Sequence, residues 1–337
     1  MTSTLPKSMR NKKNIVIIII LFVLAIITFI MSIGVGVINF TPGEVVSALI
    51  SNQATDARLV IIGLRLPRAL VAALVGICLS LSGCILQGIM RNHLASPSTI
   101  GVTSGATFVG YMTLVVFSEY YWLLPIGTIV GSFLTTMLIY TLAYNRGVKP
   151  LIMILAGLAV SALFGAFNDV VKVFYEEEIQ NVQGFLVGGL NGTTWQQFKL
   201  ILPFAILGVF FCFFITEKIN ILLLGDETAR SLGLAVDGFR FQLIAVSSLL
   251  AGAAVAVVGL VNFVGLIIPH IARLLVGSDY KYLLPASALL SVVCLTLCDM
   301  VGRIIIAPAE MPVGIILSFI GAPFFLFLLR KQSKEIH

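Results

Sequence analysis

The chain is built from long apolar runs separated by short polar breaks, and within the runs apolar and polar residues do not alternate with period two. The runs are Ile15–Ile38, Ala69–Leu86, Ile100–Phe117, Trp122–Tyr144, Leu151–Phe174, Leu200–Thr216, Phe241–Phe263, Val264–Val276, Leu283–Ile306 and Val313–Leu329. About 20 apolar residues carry a helix across the hydrocarbon core of a bilayer, so most of the runs are of membrane length. The seventh and eighth together hold about 36 residues, enough for two short crossings or for one crossing and a re-entrant piece. Continuous runs argue against a β-barrel, whose strands alternate. The pattern predicts an all-α polytopic membrane protein with about ten transmembrane helices.

Composition narrows the picture further. Of 337 residues, 59% are hydrophobic and 11% charged, whereas a soluble domain carries about 25% charged residues. A soluble enzyme or a disordered chain is excluded on this ground. Ile15–Ile38 is longer than a secretory h-region of about 7–15 residues and reads as an uncleaved first span. It follows a basic tail over residues 1–14, and a second tail covers 331–337. The cysteines Cys78, Cys84, Cys212, Cys294 and Cys298 all lie in apolar stretches, as small packing residues do. No metal or cofactor is expected.

Charge sets the orientation. With the N-terminus inside and ten crossings, 15 of the 21 Lys and Arg residues fall on the cytoplasmic side, as the positive-inside bias requires. Both termini are then cytoplasmic. Arg146, Lys149 and the C-terminal Arg330, Lys331 and Lys334 belong to this set, and the acidic Glu176, Glu177 and Glu178 lie outside. The +6 net charge thus reflects membrane topology and not nucleic-acid binding.

Two loops should hold structure. Thr41-Pro42-Gly43-Glu44 has the form of a capping box with proline in the first turn, and predicts a short external helix to about Ile50. The cytoplasmic loop from Glu217 to Arg240 contains a second short helix. Asp226 or Thr228 would start it and Gly233 would end it. Ala229 and Leu232, three apart, are expected on one face of it.

Three arginines stand against the charge bias. Arg65 and Arg68 flank Pro67 at the outer mouth of the second span, and Arg303 ends the ninth. They would serve an anionic substrate, acidic side chains of a partner, or intramolecular pairs with Asp299 or Glu310. A planar guanidinium suits each of these. Asp169 with Lys172, and Asp299 with Arg303, read as ion pairs near outer helix ends or, alternatively, as an ion relay. Gly157, Ser161 and Gly165 punctuate the fifth span. Pro312, Gly314, Gly321 and Pro323 punctuate the tenth. Such residues allow either close helix packing or a broken helix beside a pathway. Leu74, Gly76 and Gly83 recur 176 residues later as Leu250, Gly252 and Gly259, a faint sign of the inverted repeats of transporters. No phosphate-binding loop, zinc-protease motif or nucleophile elbow is present.

Several stretches resemble the FecCD-type permeases, the membrane subunits of ABC importers for ferric siderophores, haem and cobalamin. They are Arg65-Leu66-Pro67-Arg68, Leu81-Ser82-Gly83, Arg91-Asn92-His93-Leu94-Ala95-Ser96-Pro97, Ala229-Arg230-Ser231-Leu232-Gly233, Phe263 to Arg273, Glu310-Met311-Pro312-Val313-Gly314 and Gly321-Ala322-Pro323. His93 departs from the family, which usually has proline there.

The resemblance implies an inverted-repeat ABC importer permease fold in a bacterial cytoplasmic membrane, paired with a second permease subunit, identical or related. It implies ABC ATPase subunits docked through Asp226, Glu227, Ala229, Arg230, Leu232 and Gly233. It implies an external substrate-binding lipoprotein meeting Arg65, Arg68 and Arg303, and a translocation pathway along Gly157, Ser161, Gly165, Pro312 and Gly314. The cargo it implies is a ferric siderophore, with cobalamin or haem as the alternative. The chain itself would hydrolyse nothing. An ion-coupled secondary transporter using Asp169 and Asp299 is the remaining rival.

Overall fold

The computed structural model describes residues 7–50, 55–144, 150–175 and 184–335. Arg146, Lys149, Glu176 to Glu178 and the extreme ends of both tails lie outside the described residues. The described chain is helical, without strands. Helix α1 is Lys7–Gly34, α2 Pro42–Ile50, α3 Asp56–Val60, α4 Leu66–Met90, α5 Val102–Val115, α6 Leu124–Ala143 and α7 Pro150–Phe174. They are followed by α8 Trp195–Leu223, α9 Asp226–Ser231, α10 Val236–Val258, α11 Val264–Val276, α12 Tyr280–Ile304 and α13 Val313–Glu335.

Among the described residues, seven stretches are long and apolar enough to cross a membrane, namely Asn11–Gly34, Asp56–Met90, Ser118–Ala143, Leu151–Phe174, Trp195–Leu223, Val236–Val258 and Tyr280–Ile304. Val102–Val115, Val264–Val276 and Val313–Leu328 are apolar but shorter. These match the ten apolar runs in order. Helix α11 has 13 residues, about 20 Å at 1.5 Å per residue, and cannot cross a core of about 30 Å alone. Helices also overrun the expected tails. Helix α1 begins at Lys7 and α13 continues to Glu335, because Lys, Arg and Gln extend a helix as readily as apolar residues do.

The second span extends well beyond its apolar run. Helices α3 and α4 are joined through one π-helical turn, Ile61–Arg65, into a continuous stretch. The π turn sends the Leu66 N–H to the Ile61 carbonyl. The carbonyl of Ile62 then points toward Pro67, which has no N–H to give. The indole N–H of Trp195 donates to that carbonyl instead, at 3.0 Å. Trp195 opens α8, whose start is fixed by a capping box between Thr194 and Gln197.

Helix α4 is the buried axis, packed by α1, α8, α10, α11 and α12. Lipid tails supply no hydrophobic drive between helices, so small residues and interhelical hydrogen bonds hold such bundles together. A Cβ on Gly83 would lie 1.9 Å from the Gly265 carbonyl oxygen, so α4 and α11 approach backbone to backbone. Ser82 and Ser247 share a hydrogen bond of 2.7 Å between α4 and α10. The repeated glycines play matching parts. Gly76 abuts Ser291 of α12, and Gly252 abuts Ser132 of α6.

Between α10 and α11 the backbone is irregular and partly buried. Leu260 N–H donates to Phe185 O at 2.9 Å, Gly189 N–H to Val258 O at 2.9 Å, and Gly314 N–H to Gly188 O at 3.0 Å. The backbone over residues 185–189 and that over 258–260 thereby satisfy each other, as interior backbone must. The capping box of α2 forms as expected, with Thr41 N–H donating to Glu44 Oε2 at 2.7 Å and Glu44 N–H to Thr41 Oγ1 at 3.3 Å. These bonds hold the Glu44 carboxyl below its usual pKa.

Candidate functional site

One end of the bundle, termed apical, gathers Arg65, Arg68 and Arg303 around a cavity of about 230 Å³ also lined by Gly36 and Glu310. All three arginines are engaged within the chain. Arg65 donates to the carbonyls of Ile33 at 3.0 Å, of Gly34 at 2.7 Å, and of Ile38. Its guanidinium also stacks 4.7 Å from the Phe40 ring centroid. Arg303 donates to Ser32 O at 2.8 Å. The Ser32, Ile33 and Gly34 carbonyls belong to the last turn of α1, where unpaired backbone oxygens and the negative end of the helix dipole favour cations. Arg65 and Arg303 therefore cap α1, and both are buried.

Arg68 is the hub. It forks onto Asp299 through Nε at 3.0 Å and Nη2 at 2.8 Å, reaches Glu310 Oε2 through Nη1 at 2.7 Å, and Asn191 Oδ1 through Nη2 at 3.0 Å. Asp299 also faces Arg303 Nε at 3.2 Å. One guanidinium thus ties α4, α12, the segment before α8 and the segment before α13. Glu310 has 28% of its side chain exposed, against 13% for Arg68, and Asn191 is exposed. Of the readings open for these arginines, the intramolecular pairs are made.

The opposite, basal end carries α9. Its six residues are too few to hold a helix in water alone. Gly233, at φ +83°, lets Gly233 N–H reach Arg230 O at 2.9 Å and Leu234 N–H reach Ala229 O at 3.0 Å. This is a Schellman closure, the ending expected of Gly233. Ala229 is fully buried against the bundle, but Leu232 is 59% exposed. The two do not share a face, because Leu232 already lies in the turn that leaves the helix. Glu227, Thr228, Arg230, Ser231 and Gly233 are also exposed. Neither expected side chain caps the helix start, which falls to Gly225.

Asp226 turns inward. Its Oδ2 accepts from Arg240 Nη1 at 2.6 Å and its Oδ1 from Arg240 Nη2 at 2.8 Å, and Arg91 Nη2 joins Oδ1. Burial pushes the Asp226 carboxyl up, but Arg240 and then Arg91 outweigh it and hold its pKa below the usual value. In the sequence Arg240 was visible only as a topology charge, and Arg91 as one that also opens a family-like stretch. Nearby, His93 sits on the turn after α4. Partial desolvation of its imidazole, then the charges of Arg273 and His270, push its pKa down to about 4.

The expected pathway residues divide. A Cβ on Gly157 would lie 2.1 Å from Ile100 O, and the Ser161 hydroxyl lies by Gly101, so this part of α7 is packed onto the turn before α5. Gly165 has open space around its Cα. Three residues on, Asn168 holds a buried Oδ1 with no hydrogen-bond partner among the described residues. A polar residue in an apolar run was a signal the sequence reading passed over. Pro312 abuts Gly189. Gly314, Ser318 and Phe319 of α13 line a cavity of about 380 Å³ with Asn262 and Val187. Within the chain, α7 packs on α5 and α6, and α13 on α11 and α12. Asp169 and Lys172 form an exposed pair at 2.7 Å.

Comparison with known proteins adds the following. The profile described as the FecCD transport family matches residues 24–331. The Fe(3+)-citrate import system permease protein YfmE of Bacillus subtilis (strain 168) is 35% identical over 327 residues, 97% of this chain and 98% of that protein. The hemin transport system permease protein HmuU of Yersinia pestis is 36% identical over 289 residues, 81% of this chain and 84% of that protein. A solved structure described as an inward-facing conformation of a provisional metal-chelate type ABC transporter shares 32% identity and a TM-score of 0.83, covering 94% of this chain and 99% of its own.

Proposed function

Because the chain belongs to the FecCD transport family, and so is a non-catalytic, multi-pass permease of an ABC importer for iron chelates or haem, we propose that it passes a ferric siderophore through the bacterial cytoplasmic membrane. The observation that carries the reading is the match over residues 24–331, together with relatives named for ferric citrate, hydroxamate and hemin import. A siderophore is the broadest of these cargo classes. Cobalamin and haem are the alternatives.

In this reading the basal end is cytoplasmic and both termini lie there. Separate ABC ATPase subunits engage α9 from below, on the exposed side formed by Glu227, Arg230, Leu232 and Gly233. An external substrate-binding lipoprotein docks on the apical end. Of the three arginines, Arg68 and its half-buried neighbour Glu310 form the rim, so an acidic side chain of that protein would compete with Glu310 for Arg68. Arg65 and Arg303 support the rim by closing α1. A second permease subunit, identical or related, covers the exposed faces of α7 and α13. The pathway then runs between Gly157, Ser161, Gly165 and Asn168 on one side and Pro312, Gly314 and Ser318 on the other. An ion-coupled mechanism is disfavoured by Asp299, which two arginines hold, and by Asp169, which Lys172 neutralises.

The test is uptake of radiolabelled iron by cells with and without this chain, offered as hydroxamate, catecholate, citrate or haem, with cobalamin run beside them. Loss of siderophore-bound iron uptake alone supports the proposal. Loss of haem or cobalamin uptake with siderophores untouched refutes it.

A further inference from the structure

Asp226 was expected on the partner-facing side of α9, but the structure commits both its carboxylate oxygens inward. Resting on the reading of α9 as the element that meets the ATPase, we propose that Arg91, Asp226 and Arg240 form a joint that delivers a push on α9 to α4 and α10 together.

The geometry supports a stiff connection. The Arg240 fork is bidentate, at 2.6 and 2.8 Å, and such pairs fix direction as well as distance. Arg240 is 3% exposed at its side chain and Asp226 28%, so the ion pair is partly shielded from salt. Arg91 adds the third element. It is the left-handed cap of α4 at φ +48°, and its Nη2 reaches the same Asp226 Oδ1. At the far end of α9 an exposed and therefore weaker pair joins Arg230 to Asp237 of α10 at 3.2 Å. With Ala229 buried beneath it, α9 has little freedom to tilt without moving its neighbours.

Helix α4 then carries the motion. Its 25 residues make a rod of about 37 Å. At its basal cap stands Arg91, and in the first turn of its apical end stands Arg68, bonded to Asp299, Glu310 and Asn191. Ser82 pins the rod to Ser247 of α10, and Gly83 pins it to Gly265 of α11. Displacement at the joint therefore reaches the apical cluster along one helix. Arg91 and Arg240 are positioning residues: they touch neither cargo nor nucleotide.

The experiment uses the whole importer in proteoliposomes, carrying Arg91→Gln, Arg240→Gln, Arg91→Lys or the native chain. It measures ATPase subunit retained, ATP hydrolysed and chelate imported. The joint predicts that the glutamine variants retain the ATPase subunits while chelate imported per ATP falls about tenfold, and that Arg91→Lys recovers part of the loss. Arg91 is half-exposed, so Arg91→Gln remains informative if Arg240→Gln fails to fold. An unchanged import-to-ATP ratio in Arg91→Gln overturns the joint. Loss of ATPase binding in both glutamine variants also overturns it, by making the arginines part of the docking surface. A native chain that retains no ATPase subunit overturns the reading of α9 itself.

Discussion

Replacing Arg68 by alanine would remove the hub of the apical cluster. Asp299 is 3% exposed, so its charge would have to be met by Arg303 alone, at 3.2 Å and already shared with the Ser32 carbonyl. Breaking a buried ion pair from one side costs about 3–5 kcal/mol, because it strands a desolvated charge. Arg303 stays in place, which puts the expected loss near the lower figure, about 3 kcal/mol. Glu310→Gln should cost far less, under about 1 kcal/mol, since that carboxylate keeps access to water. A second comparison separates charge from packing. Arg68→Ala combined with Asp299→Ala removes both partners, and should be less destabilised than Arg68→Ala alone. The assay is reversible unfolding in mixed micelles, titrated with denaturing detergent. If Arg68→Ala lies within 1 kcal/mol of the native chain, the cluster is not the electrostatic hub described above.

Four other outcomes are expected. Gly83→Ala should prevent stable folding, because its Cβ would meet the Gly265 backbone at 1.9 Å, whereas Gly165→Ala, with open space around it, should purify normally; yield and monodispersity in detergent decide this. Trp195→Phe should lose about 1 kcal/mol in the same unfolding assay, the net worth of its bond to the Ile62 carbonyl, and an unchanged value would mean that water replaces it. The His93 folded-state pKa is lowered from 6.5 to about 4, so the unfolded chain binds more protons between those values. That contribution to stability is present above 6.5 and falls as pH drops toward 4; a His93 titration by NMR with a midpoint above 6 would contradict it. Leu232→Asp should leave the chain in the membrane yet abolish the link between ATP hydrolysis and uptake, and unchanged uptake would exclude Leu232 from the ATPase contact.

The spans were legible because membrane crossing demands an unbroken apolar length, which a hydropathy pattern reports directly. Their ends were not. Arg65 and Arg68 look like the limit of the second span, yet the helix runs on through a π turn to Asp56 because its charges are met inside the protein. The Thr41 to Glu44 cap was readable since all its partners lie within four residues. The Thr194 and Gln197 cap has the same form and was equally available. The apical cluster was half legible: three arginines stood out against the charge bias, but Asn191 is 123 residues from Arg68 in sequence, and no local pattern joins them. At the basal end, spacing put Ala229 and Leu232 on one face, but the Gly233 closure turns Leu232 outward. Arg91 and Arg240 meet at Asp226 only through the tertiary fold.

The central claim is that this chain is a gate worked by a separate ATP-driven subunit. Reconstitution measures that most directly: the purified chain in sealed vesicles, with ferric chelate outside, tested under proton and sodium gradients and again with ATPase subunits, binding protein and ATP added. The account predicts no accumulation under either gradient, and accumulation only when the ATPase, the binding protein and ATP are all present. Concentration of the chelate by the chain alone, driven by an ion gradient, would contradict it.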